Sequence, residues 1–257
     1  MQFKNFIYSP LDQFEVLPIV SLNIGFFDFT ITNLNIILAL IFFFLISFYY
    51  LLINIKDFTV SIQLNNWFII FYSIYALVKD LIINNIGSKG SKFFPLVFCI
   101  FIYIVCLNFI GLIPYSYTIT SHLIVTFTLA LFIFIGINII TARYHGFEMF
   151  SLFLPSGTSL ALSFLLVPIE LISYIFKPIS LSIRLFANMM AGHTLLKVIA
   201  GFAYTMMGLS GILFFVHYVP LLILIPLFLL ELGVSLIQAF VFSVLVCIYL
   251  NDAINLH

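Results

Sequence analysis

Charged side chains and cysteine are both scarce in this chain. Only 7% of its 257 residues are Asp, Glu, Lys or Arg, whereas soluble domains carry about 25%. That shortage excludes an ordinary soluble globular domain. Basic and acidic residues balance at 9 each, so no positive surplus exists to bind nucleic acid. The three cysteines lie inside apolar runs, with the spacing of neither a metal site nor a disulfide framework.

Long apolar runs take the place of the missing charge. Residues 29–55 and 93–142 contain no Asp, Glu, Lys or Arg, and a membrane-spanning helix needs about 20 apolar residues. We therefore predict an all-α integral membrane protein, with residues 1–257 forming one polytopic domain of about six helices. Its predicted parts are an outer N-terminal segment (1–28), a spanning helix (33–53), an interfacial amphipathic helix (61–85), a helical hairpin (93–113 and 119–140) and two long tilted helices (156–203 and 219–251).

The distribution of positive charge predicts the orientation. Lysines between positions 56 and 92, together with Arg143, lie on one side of the predicted spans. Cytoplasmic or inner loops carry an excess of such residues, so this side is predicted to be the inner one and the N-terminus the outer one. The apolar run in 61–85 is too short to span. Trp67, Tyr72 and Tyr75 would anchor it at the membrane surface.

Ionisable residues return in the last third of the chain, at regular spacing. Glu170, Lys177 and Arg184 are seven residues apart, which places them on one helix face. Glu231 and Gln238 are also seven apart. A protonated arginine at membrane depth costs at least about 2.5–3.5 kcal/mol. Arg184 is therefore predicted to be functional rather than incidental.

Antiparallel packing of the two long helices would bring particular residues together. Gly208 and Gly211 suggest an apex near residue 212, so facing residues have numbers that sum to roughly 424. His193 then faces Glu231, Gln238 falls near Arg184, and Asp252 falls near Glu170. Two polar clusters on either side of a fixed positive charge are what two offset half-channels would need, because a continuous polar file would leak.

Four segments of the chain resemble one family. The segment SLSIRLFANMMAGH at 180–193 looks like the signature of subunit a of the F-type ATP synthases. Three others are also similar to that family: SPLDQFEV at 9–16, NFIGLIPYSY at 108–117 and ELGVSLIQAFVFSVLVCIYLND at 231–252. Together they cover nearly the whole length, in order.

The resemblance implies roles for individual residues. Arg184 would be the essential charge that faces a carboxylate on the ring of c subunits. Asn108 would lie near the proton-entry side, whereas Glu170 and Asp252 would line the half-channel on the matrix side. The resemblance also implies four residues that line the half-channel on the intermembrane-space side: Glu231, His193, Asn188 and Gln238.

The resemblance further implies the setting in which the chain works. Its partners would be the c-ring, the peripheral-stalk subunit b, other Fo subunits and membrane lipid, in the mitochondrial inner membrane. The chain itself would be a non-catalytic, proton-translocating subunit. We expect no cofactor, no metal and no nucleic acid.

Other function classes fit the sequence less well. A haem-carrying respiratory subunit needs paired histidines on facing helices, and no two histidines here have that placement. A stand-alone ion or proton transporter predicts internal repeats, and the two halves show none. A scaffold that only mediates interactions would need neither Arg184 nor Glu231 within the bilayer.

Simpler structural interpretations remain open for several residues. Lys177 and Lys197 can snorkel to a membrane surface. Glu170 can be an ion-pair partner of Lys177, and Asp252 can be a solvated residue near the end of a helix. Four histidines are expected to be structural or interfacial: His122, His145, His217 and His257.

Overall fold

Helices make up most of the described structure. The computed structural model describes residues 14–21, 23–24, 27–55, 66–113, 116–146, 160–208 and 216–254. Within those ranges the chain forms six α-helices: α1 (Asn33–Ile55), α2 (Asn66–Ile86), α3 (Phe94–Leu112), α4 (Leu123–His145), α5 (Leu160–Met207) and α6 (Tyr218–Ile254). The prediction of an all-α protein is confirmed.

Four helical segments in the described parts of the chain are long and apolar enough to cross a membrane. They are Gly90–Leu112, Leu123–His145, Phe164–Met207 and Tyr218–Ile254. The 48 residues of α5 would extend about 72 Å and the 37 residues of α6 about 55 Å. A hydrocarbon core is only about 30 Å thick, and tilting is the usual way for a long helix to fit. The chain is therefore a multi-pass membrane protein.

The first two helices are not among these four segments. In α1 the described apolar segment is Asn33–Ser47, so the expectation that α1 spans the membrane stays a prediction. Helix α2 begins at Asn66, and residues 61–65 of the predicted interfacial helix lie outside the described residues. One face of α2 is buried at Val78 and Ile82, while Tyr72 is exposed. Its place at the membrane surface also stays a prediction.

Four short strands that the sequence pattern did not predict precede α1 in the described part of the chain. Strand β1 (Pro18–Val20) pairs antiparallel with β4 (Ile31–Thr32), and β2 (Asn23–Ile24) pairs with β3 (Phe27–Asp28). The helix start is fixed to this region by Asn33, whose Oδ1 accepts a hydrogen bond of 3.3 Å from the Leu17 amide. The backbone N–H of Asn33 in turn donates a hydrogen bond of 3.2 Å to the Leu17 carbonyl. Residues 1–13 of the predicted outer segment lie outside the described residues.

The connection between α3 and α4 contains a turn of 3-10 helix at Ile119–Ser121. Helix α4 therefore begins at Leu123, four residues after the predicted start. Hydroxyl groups account for the difference, because Thr118 donates to Ser121 Oγ at 2.9 Å and Ser121 donates to the Thr118 carbonyl at 2.6 Å. Such local bonds compete with helix formation. Residues 114–115 of the predicted turn lie outside the described residues.

Prolines lie inside both long helices without ending them. Pro168 and Pro178 fall within α5, and Pro226 falls within α6. Each proline removes one backbone donor from the helix, and transmembrane helices tolerate this because neighbouring groups satisfy the freed carbonyls. Gly211 and the predicted apex near residue 212 lie outside the described residues.

The described chain forms two compact units, each drawn from several helices. Unit 1 contains the described residues of 1–44, 105–122 and 185–238, and unit 2 contains those of 45–104, 123–184 and 239–257. The core of unit 1 includes the buried side chains of Leu107, Leu185 and Met189. In unit 2, Thr126 Oγ1 on α4 and Ser182 Oγ on α5 lie 3.2 Å apart and are buried.

Candidate functional site

A histidine and a glutamate lie side by side within unit 1. Nε2 of His193 on α5 and Oε1 of Glu231 on α6 are 3.5 Å apart, with side chains 13% and 5% exposed. This separation is within ion-pair range but longer than a hydrogen bond. Neither carboxylate oxygen, nor Nε2 of the histidine, has a hydrogen-bond partner among the described residues. The predicted pairing of His193 with Glu231 is confirmed.

Two amide side chains extend this cluster. Nδ2 of Asn188 donates a hydrogen bond of 2.9 Å to Oε1 of Gln238. Nδ2 of Asn108, which is fully buried on α3, donates to the Ser235 carbonyl at 3.1 Å. Four residues that the sequence implicated thus form two contacts between α5 and α6 in unit 1, His193 with Glu231 and Asn188 with Gln238. Asn108 connects α3 to the same cluster. Their contacts are observed here, whereas their roles stay predictions.

A cavity opens beside these side chains in unit 1. Its volume is about 300 Å³, and a water molecule occupies about 30 Å³ in the liquid, so several waters would fit. Leucine side chains form much of its wall. Its polar lining comes from Asn108, Asn188, Glu231, Ser235 and Gln238. The wall is mostly apolar, and the Glu231 carboxylate that forms part of it can exchange protons with water inside the cavity.

A second cluster lies within unit 2. Nζ of Lys177 is 3.7 Å from Oδ2 of Asp252, and the two side chains are 30% and 43% exposed. The same ammonium lies 4.9 Å from the centre of the Tyr249 ring and 5.2 Å from that of Tyr174. The Tyr174 hydroxyl donates a hydrogen bond to Asn138 Oδ1. Lys177 thus forms one ion pair and two cation–π contacts.

The expected proximity of Asp252 to Glu170 stays a prediction, and the ion pair that the structure describes for Asp252 is with Lys177. Glu170 has no ion pair within 4.0 Å among the described residues, including with Lys177. Lys177 lies seven residues beyond Glu170, about 10 Å along the helix.

Arg184 lies on a solvent-accessible face of α5. It is exposed, whereas Leu181, Ser182 and Leu185 around it are buried. It forms no ion pair with any residue that the structure describes. A guanidinium carries a positive charge in proteins, so this charge is exposed on the surface of the described chain.

Three of the remaining histidines have structural contacts. His217 is buried, and its ring centre lies 4.1 Å from that of Tyr218. Nε2 of His145 lies 3.2 Å from the Ile254 carbonyl. The ring of His122 stacks on that of Tyr117, with 5.3 Å between ring centres. These contacts agree with the structural interpretation of all three histidines. His257 lies outside the described residues.

Sequence reasoning missed the two tyrosines around Lys177, although a signal was available. Tyr174 precedes Lys177 by three residues, and Tyr249 precedes Asp252 by three. Residues three apart on a helix are neighbours on its surface. Helical spacing could therefore have predicted that an aromatic ring accompanies each of these charges.

The fold and the site together define a class, that of multi-pass helical membrane proteins with ionisable and amide side chains buried between helices. A family model described as ATP synthase A chain matches residues 30–251. The chain belongs to this family.

Relatives with high identity cover the whole chain. ATP synthase subunit a of Pylaiella littoralis is 53% identical over 254 residues, which is 97% of this chain and 99% of the relative. Its counterpart in Chondrus crispus is 46% identical over 257 residues, and that in Brassica napus is 44% identical over 264 residues. Both alignments cover 100% of each chain.

Proposed function

We propose that this chain is the proton-conducting stator subunit of an ATP synthase in the mitochondrial inner membrane. Two offset half-channels would carry protons to and from carboxylates on a ring of c subunits, and ring rotation would drive ATP synthesis elsewhere in the complex. The name shared by its relatives, ATP synthase subunit a, supports this assignment. The observation that carries it is the buried His193–Glu231 pair, whose glutamate lines a cavity large enough for water.

The entry half-channel is assigned to the cluster of unit 1. Glu231 is 5% exposed and has no hydrogen-bond partner among the described residues, so no fixed bond has to break before it accepts or releases a proton. His193, at 3.5 Å, supplies a second group that can carry the proton. Asn108, Asn188 and Gln238 would orient the water that links this pair to the ring.

Arg184 is assigned to the interface with the ring. Its side chain is exposed, and lipid alone would be a costly neighbour for its charge. A carboxylate on a ring subunit would offset that cost. The guanidinium in turn favours the ionised form of the carboxylate and so promotes release of its proton. Because arginine does not give up its own proton, it also blocks direct passage between the two half-channels.

The exit half-channel is assigned to Glu170 and Asp252. Lys177 lies against Asp252 and would hold that carboxylate in place. A proton leaving on this side would be driven by the membrane potential, which is worth about 2.3 kcal/mol per charge for each 100 mV. The neutral, protonated ring carboxyl can cross lipid during rotation, whereas the ionised form could not do so cheaply.

Partners beyond the ring are assigned by the same reasoning. A stator has to be held against rotation, so the chain would contact the peripheral-stalk subunit b and other Fo subunits. Large side chains such as Phe43, Phe132 and Leu222 are exposed on the described helices. Lipid and neighbouring subunits would cover these apolar surfaces.

The test is ATP-driven proton pumping in inverted inner-membrane vesicles that carry Arg184→Ala. The expected result is loss of pumping while the complex stays assembled. Lys197→Ala, which removes another cation from α5, is the matched control and should pump normally. Normal pumping by an assembled Arg184→Ala complex would overturn the proposal.

A further inference from the structure

The carboxylate of Glu231 occupies the space that a side chain at position 192 would fill. A Cβ atom placed on Gly192 would lie 2.6 Å from Oε1 of Glu231, 2.9 Å from its Cδ and 3.2 Å from its Cγ. Real Cβ atoms essentially never approach other heavy atoms to less than 3.0 Å. Any residue other than glycine at 192 is therefore incompatible with the observed position of this carboxylate.

This crowding is specific to one glycine of the two long helices. Cβ atoms placed on Gly201 in α5 or Gly233 in α6 would meet no heavy atom of the described residues within 4 Å. Glycine is a poor helix former compared with alanine. Replacing any of the three by alanine would favour the helix, and only at Gly192 would it displace a functional side chain.

We propose that Gly192 is a positioning residue, whose missing side chain lets the Glu231 carboxylate rest against α5 beside His193. This inference rests on the proposed function of the His193–Glu231 pair. His193 follows Gly192 directly in the chain. The same turn of α5 therefore positions both the imidazole and the space that the Glu231 carboxylate occupies. The space left by the missing side chain of Gly192 thereby fixes the separation of 3.5 Å between His193 Nε2 and Glu231 Oε1.

A substitution at Gly192 is expected to move Glu231 without unfolding the protein. The atoms that would clash are the far end of a flexible side chain, not backbone. The cavity of about 300 Å³ that Glu231 itself lines offers the carboxylate another place. The complex should therefore assemble, with the carboxylate displaced from the imidazole.

The experiment compares Gly192→Ala, Gly201→Ala and Gly233→Ala in the intact ATP synthase of inverted vesicles. Assembly and ATP-driven proton pumping are measured for each. Gly192→Ala should assemble and pump roughly tenfold slower or worse, because a displacement of about 1 Å at a reacting group can cost about a hundredfold. The two control variants should pump as the native complex does. An assembled Gly192→Ala complex that pumps at the native rate, or equal losses in all three variants, would overturn the inference.

A second variant separates positioning from a general effect on the helix. Glu231→Asp shortens the side chain by one methylene and so relieves the clash with a methyl group at 192. The double variant Gly192→Ala with Glu231→Asp should pump faster than Gly192→Ala alone. If Gly192→Ala does not assemble, restored assembly in the double variant supports the inference. Failure of Glu231→Asp to improve either readout overturns it.

Arg184→Ala, measured in the same vesicles, distinguishes the two possible failures. If Arg184→Ala abolishes pumping while Gly192→Ala pumps normally, the role of Gly192 is rejected and the proposed function stands. If Arg184→Ala also pumps normally, the proposed function is rejected together with the inference that rests on it.

Discussion

The side-chain amide of Asn188 on α5 is hydrogen-bonded to Oε1 of Gln238 on α6, at 2.9 Å. Gln238 is only 5% exposed, and its Nε2 has no partner among the described residues. Among the described residues, the bond from Asn188 is therefore the side-chain hydrogen bond that holds Gln238 in place. Gln238 and Glu231 line the same cavity.

Removing this bond should have a measurable but modest effect on stability. Side-chain hydrogen bonds between transmembrane helices are worth about 0.6 kcal/mol on average. A double-mutant cycle of Asn188→Ala and Gln238→Ala should give a coupling energy of about that size, measured by SDS titration of the purified complex. As control, Thr128 donates only to the Val125 carbonyl of its own helix. Thr128→Ala combined with Gln238→Ala should be additive, and a zero coupling for the first pair would contradict the observed bond.

The Lys177–Asp252 pair should matter little for stability. Both side chains are partly exposed, at 30% and 43%, and exposed ion pairs are worth about 0–1 kcal/mol. Lys177→Met should therefore lower the free energy of unfolding by less than about 1 kcal/mol. Lys177→Arg should be close to native, because a guanidinium pairs with Asp252 and stacks on Tyr174 and Tyr249. The same SDS titration measures both, and a loss of several kcal/mol in Lys177→Met would show a larger structural role.

The contact between Tyr117 and His122, outside the spanning helices, should make stability depend on pH. Burial lowers the pKa of His122 below 6.5, partly offset by a hydrogen bond with the Phe14 backbone, and burial raises the pKa of Tyr117. The unfolded chain thus binds a proton to this histidine at a higher pH than the folded chain does. The stabilising contribution of neutral His122 is complete above pH 6.5 and is lost as the pH falls through the lowered pKa of the folded state.

Thermal unfolding of the complex between pH 7.5 and pH 5 tests this dependence. The native chain should lose stability toward the acidic end. His122→Asn, which cannot titrate, should lose less over the same range, since the other ionisable groups are unchanged. Identical pH profiles for the two proteins would rule out a contribution from His122.

The sequence was sufficient for the fold class and for one pairing of the site. Charge-free runs of more than 20 residues have few alternatives to membrane helices. The pairing of His193 with Glu231 followed from equal rise along two antiparallel helices, and it is found at 3.5 Å. Both predictions depended only on the regular geometry of the backbone.

The rest depended on features that a regular pattern does not contain. The pairing of Lys177 with Asp252 was not predicted, because side-chain reach and aromatic contacts are not part of an axial register. The strands before α1 are only two or three residues long, too short to show an alternating pattern. The crowding at Gly192 could not be predicted from the sequence, because it depends on where the Glu231 side chain of another helix lies.

The composition of unit 1 has a consequence for how the protein is made. Its polar cluster takes Asn108 from α3, His193 from α5 and Glu231 from α6. During synthesis α3 and α5 both emerge before α6, so Asn108 and His193 at first lack the contacts seen in the folded chain. Polar groups without partners are costly in lipid. A nascent chain halted before α6 would therefore display exposed polar groups at membrane depth, a signal by which membrane quality-control proteases could recognise it.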